Sequence, residues 1–111
     1  MSDNRLIIGF VENVILENGK KCRAKIDTGA DSSSIDKSLV EDAENRKVVS
    51  YKIIRSALGR HRRPTMMIRL HMQGIEFYEK FSVVDRSNLK YKVLIGKDIL
   101  KKEGFLIDPN K

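Results

Sequence analysis

The strongest constraint on the fold is a tight turn at Asn18-Gly19 that sends an alternating strand directly into an acidic loop. Asn-Gly accepts the positive φ values that a two-residue hairpin turn needs. Val14-Ile15-Leu16 therefore runs out and Lys21 to Ile26 runs back, with Cys22, Ala24 and Ile26 on one face. The returning strand ends at Asp27, and Thr28, Gly29 and Ala30 follow at once. Gly29 lets another backbone come close. The segment thus presents one carboxylate on a tight loop. One acid is half of a hydrolytic pair in which two carboxylates share a proton, one acting on water and the other on a carbonyl. The other half must come from elsewhere in the chain or from a second copy.

The rest of the chain reads as short strands between turns. Leu6 to Val11 is predicted as a strand, which Val14 to Leu16 continues or pairs with. Asp31 to Ser34 reads as a loop, and Asp36 as the cap of a short helix over 37–43. Val48 to Arg55 is predicted as a strand, Leu58 to Pro64 as a turn or loop, and Thr65 to Met72 as the returning strand. Met66, Ile68 and Leu70 share one side of it. Gln73-Gly74 turns into a strand over 76–84, and Asp85-Arg86-Ser87-Asn88 turns again. A short strand over 91–95 ends at Gly96. A single short helix over 98–103 stops at Gly104, and Phe105-Leu106-Ile107 is a last strand. Many short strands at close spacing suggest a small β-barrel or sandwich, one domain over 1–111.

Two stretches then stand together: Ile26-Asp27-Thr28-Gly29-Ala30-Asp31, and Val93-Leu94-Ile95-Gly96-Lys97-Asp98-Ile99-Leu100 with Gly104 after it. Together they resemble the single-domain aspartic proteases of the retropepsin kind, over nearly the whole chain. Further stretches resemble a cellular branch known as ATP-dependent zinc proteases, found beside or fused to ribosomal-protein glutamate ligases. These are Ser32-Ser33-Ser34, Arg55-Ser56-Ala57-Leu58-Gly59 with Arg63-Pro64, Val84-Asp85-Arg86-Ser87, and Leu106-Ile107-Asp108-Pro109.

The resemblance implies a mainly β fold, a small closed barrel with one or two short helices. It implies an aspartic peptidase active as a homodimer, with Asp27 used once per subunit. Thr28 would join the two loops across the two-fold axis, and Gly29 would leave room for the substrate backbone. Ala30 and Asp31 would lie beside the substrate, with Asp31 paired to the basic residue after Gly96. That residue is Lys97, where the viral enzymes usually have Arg, and Lys lacks the bidentate fork. Gly96, Lys97 and Asp98 would support the loop. Residues 55–67 would form the flap. Viral flaps are Gly-rich, whereas this one has only Gly59 and is crowded with Arg.

Charge extends the expectation to the substrate. The chain carries 22 Lys and Arg against 15 Asp and Glu, a net +7, which favours an anionic partner. From Asn45 to Ile75 there is no Asp or Glu. Arg55, Arg60, Arg62 and Arg63 with Gly59 in that stretch are expected to bind an acidic, Glu-rich peptide or protein tail through Arg–carboxylate forks. The alternative is a catalytically inactive binding module of the same fold, gripping acidic tails or RNA through the basic flap. Nucleic acid is the weaker partner, since no recognised motif or interleaved aromatics accompany the arginines. Cys22, His61 and His71 lack metal-ligand spacing, and no Gly-rich phosphate loop appears, so neither a metal nor any other cofactor is expected. A single Cys excludes an internal disulfide and suits a reducing cytoplasm. No apolar run approaches a membrane span, and no signal peptide is expected at Met1 to Arg5.

Overall fold

The computed structural model describes residues 5–111, so Met1 to Asn4, where no signal peptide is expected, lie outside the described residues. The strands are β1 (Ile7–Ile8), β2 (Val11–Leu16), β3 (Lys21–Ile26), β4 (Ser34–Asp36), β5 (Ser50–Ser56), β6 (Gly59–Met72), β7 (Ile75–Val84), β8 (Val93–Ile95) and β9 (Leu106–Ile107). An α-helix, α1, spans Lys97–Glu103, and a 3-10 turn spans Lys37–Leu39.

The main sheet runs in the order β2-β3-β8-β4-β7-β6-β5, and a further β2–β6 pairing bends it back on itself. Six strands therefore close a ring, and β5 stands outside it, paired to the first half of β6. β1 and β9 form a separate parallel pair. Alternation decides which side chains fill the ring. Val14, Leu16, Ala24, Ile26, Ile35, Met66, Ile68, Leu70, Phe81, Val83, Val93 and Ile95 are all buried. With Trp absent, this aliphatic set and Phe81 make the centre. Ile99 and Leu100 of α1 pack onto it, and Gly104 ends that helix in the left-handed region at φ 68°.

The Asn18-Gly19 hairpin forms as its sequence requires, with Gly19 at φ 84°. Four local expectations change. The predicted first strand breaks at Gly9-Phe10 into β1 and β2, where the Gly9 N–H donates to Glu12 Oε2 at 2.7 Å. The helix expected over 37–43 stops at Leu39. Asp36 caps it through Ser38 as expected, but Val40 leaves in an extended conformation and is buried. Ser34, read as loop, belongs to β4, because β7 and β8 pair with it from both sides. The predicted loop 58–64 is likewise strand. It forms the outer half of β6, and the hairpin turns at Ala57-Leu58.

Candidate active site

Asp27 lies one residue past β3. Its N–H donates to the Ile95 carbonyl at 2.9 Å, so the loop starts as a continuation of the β3–β8 pairing. Its Oδ1 accepts the Gly29 N–H at 2.9 Å, and its carbonyl accepts the Ala30 N–H at 3.2 Å. The carboxylate is held by its own loop while Thr28 and Gly29 are exposed. The loop is then fastened to the second motif. Lys97 N–H donates to the Ala30 carbonyl at 2.8 Å, and the Gly96 N–H to Ser33 Oγ at 2.9 Å. Gly96 is buried beneath this crossing. A Cβ placed on it would lie 2.7 Å from the Ser32 carbonyl oxygen and 2.8 Å from that of Ala30.

Asp98 supports the loop from below. Its Oδ1 accepts the Ser33 hydroxyl at 2.7 Å and its Oδ2 the Ser33 N–H at 3.1 Å. Asp31 pairs with Lys97 at 2.9 Å. The hydrogen bond and charge of Lys97 hold the Asp31 carboxyl below the ordinary range. Lys52 of β5 reaches the Ser32 hydroxyl, so the flap strand touches the loop as well. Gly96, Lys97 and Asp98 thus gather around residues 30–33, and Asp27 projects at the head of the assembly.

The flap residues are sorted by the pleat. Register aligns Lys25, Leu94, Ser34, Ser82, Thr65 and Ser50 in one row across six strands, on the face opposite the aliphatic core. Asp27, two residues beyond Lys25, shares that face. So do Lys52, two beyond Ser50, and Arg63, two before Thr65. Arg55, Arg60 and Arg62 fall on the other face, where the Arg62 guanidinium lies 4.8 Å over the Tyr51 ring. Of the four expected arginines, the structure places Arg63 on the side of Asp27. Gly59 sits at the hairpin turn at φ 116°, and the neighbouring Leu58 is 91% exposed.

One residue was named in the sequence only within the turn at 85–88 and the resembling stretch Val84-Asp85-Arg86-Ser87, and was given no role in the site. Arg86, half-buried, donates Nε to the Tyr91 carbonyl at 2.9 Å and Nη1 to Ser34 Oγ at 3.2 Å. Burial lowers its pKa and the charge of Asp36 opposes that fall. Arg63 lowers it further and Asp27 raises it, so both lie within its electrostatic reach. The turn signal at 85–88 gave its position in the chain, but only the register of β4 brings it here. Among the described residues, no three His, Cys, Asp or Glu side chains gather to hold an ion. Cys22 is half-buried against the core, which raises its thiol pKa. Among the described residues, no helix is long and apolar enough to cross a membrane.

No curated protein matches the chain. Among solved structures, it is similar to a protein of unknown function, Lpg0085, from Legionella pneumophila, with TM-score 0.69 and 21% identity over 98% of this chain and 96% of that one. It is also similar to the protease of simian foamy virus, with TM-score 0.64 and 15% identity over 82% of this chain and 91% of that one. These likenesses show a retropepsin-like fold. Residues 15–102 match the family described as gag-polyprotein putative aspartyl protease, a span that holds both Asp27 and the Gly96-Lys97-Asp98 support. The chain belongs to the gag-polyprotein aspartyl protease family.

Proposed function

We propose that the protein is an aspartic peptidase that works as a homodimer and cleaves acidic, Glu-rich peptides or protein tails. The observation that carries the reading is the fastening of the Asp27 loop to Gly96, Lys97 and Asp98, which holds one carboxylate at an accessible position. A single chain supplies one such acid. A two-fold axis through these loops would bring two together, each subunit using the same surface. As in the known aspartic proteases, one proton then belongs to the pair and not to either residue.

In the hydrolytic step, the ionised Asp27 takes a proton from water as its oxygen attacks the amide carbon. The protonated Asp27 gives its proton to the carbonyl oxygen. The resulting diol collapses: one of its hydroxyls returns a proton to the Asp27 that had given one, the C–N bond breaks, and the amine nitrogen takes up the proton acquired from water, which leaves the pair with its single proton. Thr28 joins the loops across the axis, and Gly29 and Ala30 border the substrate backbone. Asp31, braced by Lys97, lies beside it. The acid-free basic stretch that builds the flap supports the choice of an acidic substrate, and recognition of that kind weakens as salt rises.

Asp27→Asn tests the reading. Turnover of a Glu-rich peptide is expected to vanish, while the sedimentation mass of a dimer and the melting temperature persist. A strictly monomeric wild type, or turnover that survives the substitution, refutes it. Absent turnover in the wild type, with binding of the acidic peptide undiminished in Asp27→Asn, would establish the binding module in its place.

A further inference from the structure

Arg86 is a cation in an unusual position. It is half-buried and anchored by neutral acceptors, the Tyr91 carbonyl and the Ser34 hydroxyl. None of the ion pairs among the described residues uses its guanidinium. Its own N–H, by contrast, donates to Asp36 Oδ1 at 2.5 Å. Asp36 therefore fixes the backbone of the turn, and the side chain runs away from it towards Ser34. Lys92 ties down the same turn by donating to the Arg86, Ser87 and Leu89 carbonyls. The arginine is thus held in place from both ends before any ligand arrives.

Where it is held matters. Ser34 lies in the register row on the Asp27 face, beside Leu94 of β8, and β8 is the strand whose Ile95 carbonyl takes the Asp27 N–H. Arg63 projects from the flap on that same face. Arg86 feels both charges: Arg63 disfavours its charged form and Asp27 favours it. Arg86 is partly desolvated and Arg63 exposed, and their like charges on one face of the sheet repel. An anion between them relieves that repulsion, and guanidinium is the side chain best shaped to bind a carboxylate through two parallel bonds.

We infer that Arg86, from the body of the domain, and Arg63, from the flap, form a clamp for the side-chain carboxylate of a substrate residue adjoining the cleaved bond. Arg86 is a specificity-determining residue in this scheme, choosing glutamate or aspartate over their amides. The location rests on the proposed cleft around Asp27, but recognition by the clamp does not require that hydrolysis occur. It also explains why the flap is arginine-bearing on this face: closing the hairpin completes the anion site.

The test measures binding, separately from turnover. In an Asp27→Asn background, the affinity of a fluorescent Glu-containing peptide is compared with that of the Gln-substituted peptide. Arg86→Met and Arg63→Met are each expected to cut the Glu-over-Gln preference by about 10-fold or more, the scale of a charged hydrogen bond lost. Arg62→Met removes the same charge from the opposite face, so its smaller loss measures the through-space contribution. Arg86→Met also loses two structural bonds, so Arg86→Lys is measured beside it, with circular dichroism on both. Lysine keeps the charge without the fork and should retain part of the preference. If the Asp27→Asn protein does not distinguish Glu from Gln, or if folded Arg86→Lys and Arg63→Met both keep the full preference, the clamp is overturned. Turnover by the Asp27 protein is scored independently. Its absence with the preference intact removes the peptidase reading and leaves the clamp. Its presence with the preference unmoved does the reverse.

Discussion

Replacing Gly96 by Ala puts the central construction of the site under direct strain. The new Cβ would lie 2.7 Å from the Ser32 carbonyl oxygen and 2.8 Å from both the Ser32 carbonyl carbon and the Ala30 carbonyl oxygen. Ordinary contact begins at 3.4 Å, and all three obstacles are backbone atoms that no rotamer change can move. The 30–32 loop must therefore retreat by roughly half an ångström or more, a displacement that overpacking typically costs about 1–3 kcal/mol. The bonds in its path are Lys97 N–H to Ala30 O at 2.8 Å and Gly96 N–H to Ser33 Oγ at 2.9 Å. Stretching both adds about 1 kcal/mol each. A total of about 3–5 kcal/mol lowers the melting temperature by on the order of 10–20 °C in a domain of this size. Gly96 has φ −100°, which alanine accepts, so the loss would come from the clash and not from backbone strain. Scanning calorimetry with a urea titration measures it. A Gly96→Ala protein that melts within about 2 °C of the wild type would show that the two loops are not locked together, and the fastening argument would fail.

Two further substitutions probe neighbouring features. Gly29→Ala places a Cβ 3.2 Å from Asp27 Oδ1, the same oxygen that accepts the Gly29 N–H. Stability should move by no more than about 0.5 kcal/mol, as for an exposed position. Peptide turnover should fall at least about 10-fold as the carboxylate is displaced, and unchanged kcat would refute that link. Glu103→Gln tests a carboxylate pair behind α1. Glu79 is buried at 3% exposure, its Oε1 takes the Lys102 ammonium at 2.7 Å, and its Oε2 has no partner. Burial, then the Glu79 carboxylate, raises the Glu103 pKa. The stability that its protonated form contributes is therefore present below the ordinary carboxylate range and lost as pH rises through the folded value. Glutamine keeps a neutral donor at all pH. It should stabilise at pH 7 by on the order of 1 kcal/mol, with the gain shrinking towards pH 4 in urea titrations. An equal effect at both pH values contradicts the assignment.

The parts of the fold legible in the sequence are those whose cause is local. Asn18-Gly19 sets the first hairpin, Gly104 ends α1, and alternation marks the buried side of β6 and β7. What was not legible has a distant cause. Ser34-Ile35-Asp36 follows two serines and carries no strand composition. It is extended because β7 lies on one side and β8 on the other. Gly59 to Pro64 reads as a turn because of its Gly, its Pro and its arginines. It is strand because each residue meets one of β5, and Pro64 is tolerated where β6 has β5 alone beside it. The helix over 37–43 had acceptable propensity throughout. It gives way at Val40, where reaching the core outweighs continuing the turn.

The site divides along the same line. Asp27, Asp31, Gly96, Lys97 and Asp98 stand in two compact motifs, so their proximity followed from the pair of motifs, and the Asp31–Lys97 bridge formed as the resemblance implied. The flap arginines were legible as a charge run but not as two faces, since that split depends on reading 59–64 as strand. Arg86 was concealed more deeply. As part of a turn between two strands it has the composition of a solvated loop. Its side chain acquires meaning only once Ser34 is placed in β4, because that serine is what draws the guanidinium onto the face of Asp27. The misreading of a three-residue strand and the omission of a charged residue are therefore one error. The same correction that closes the ring between β7 and β8 also draws the Arg86 guanidinium to Ser34 on the face of Asp27, the face that Arg63 shares.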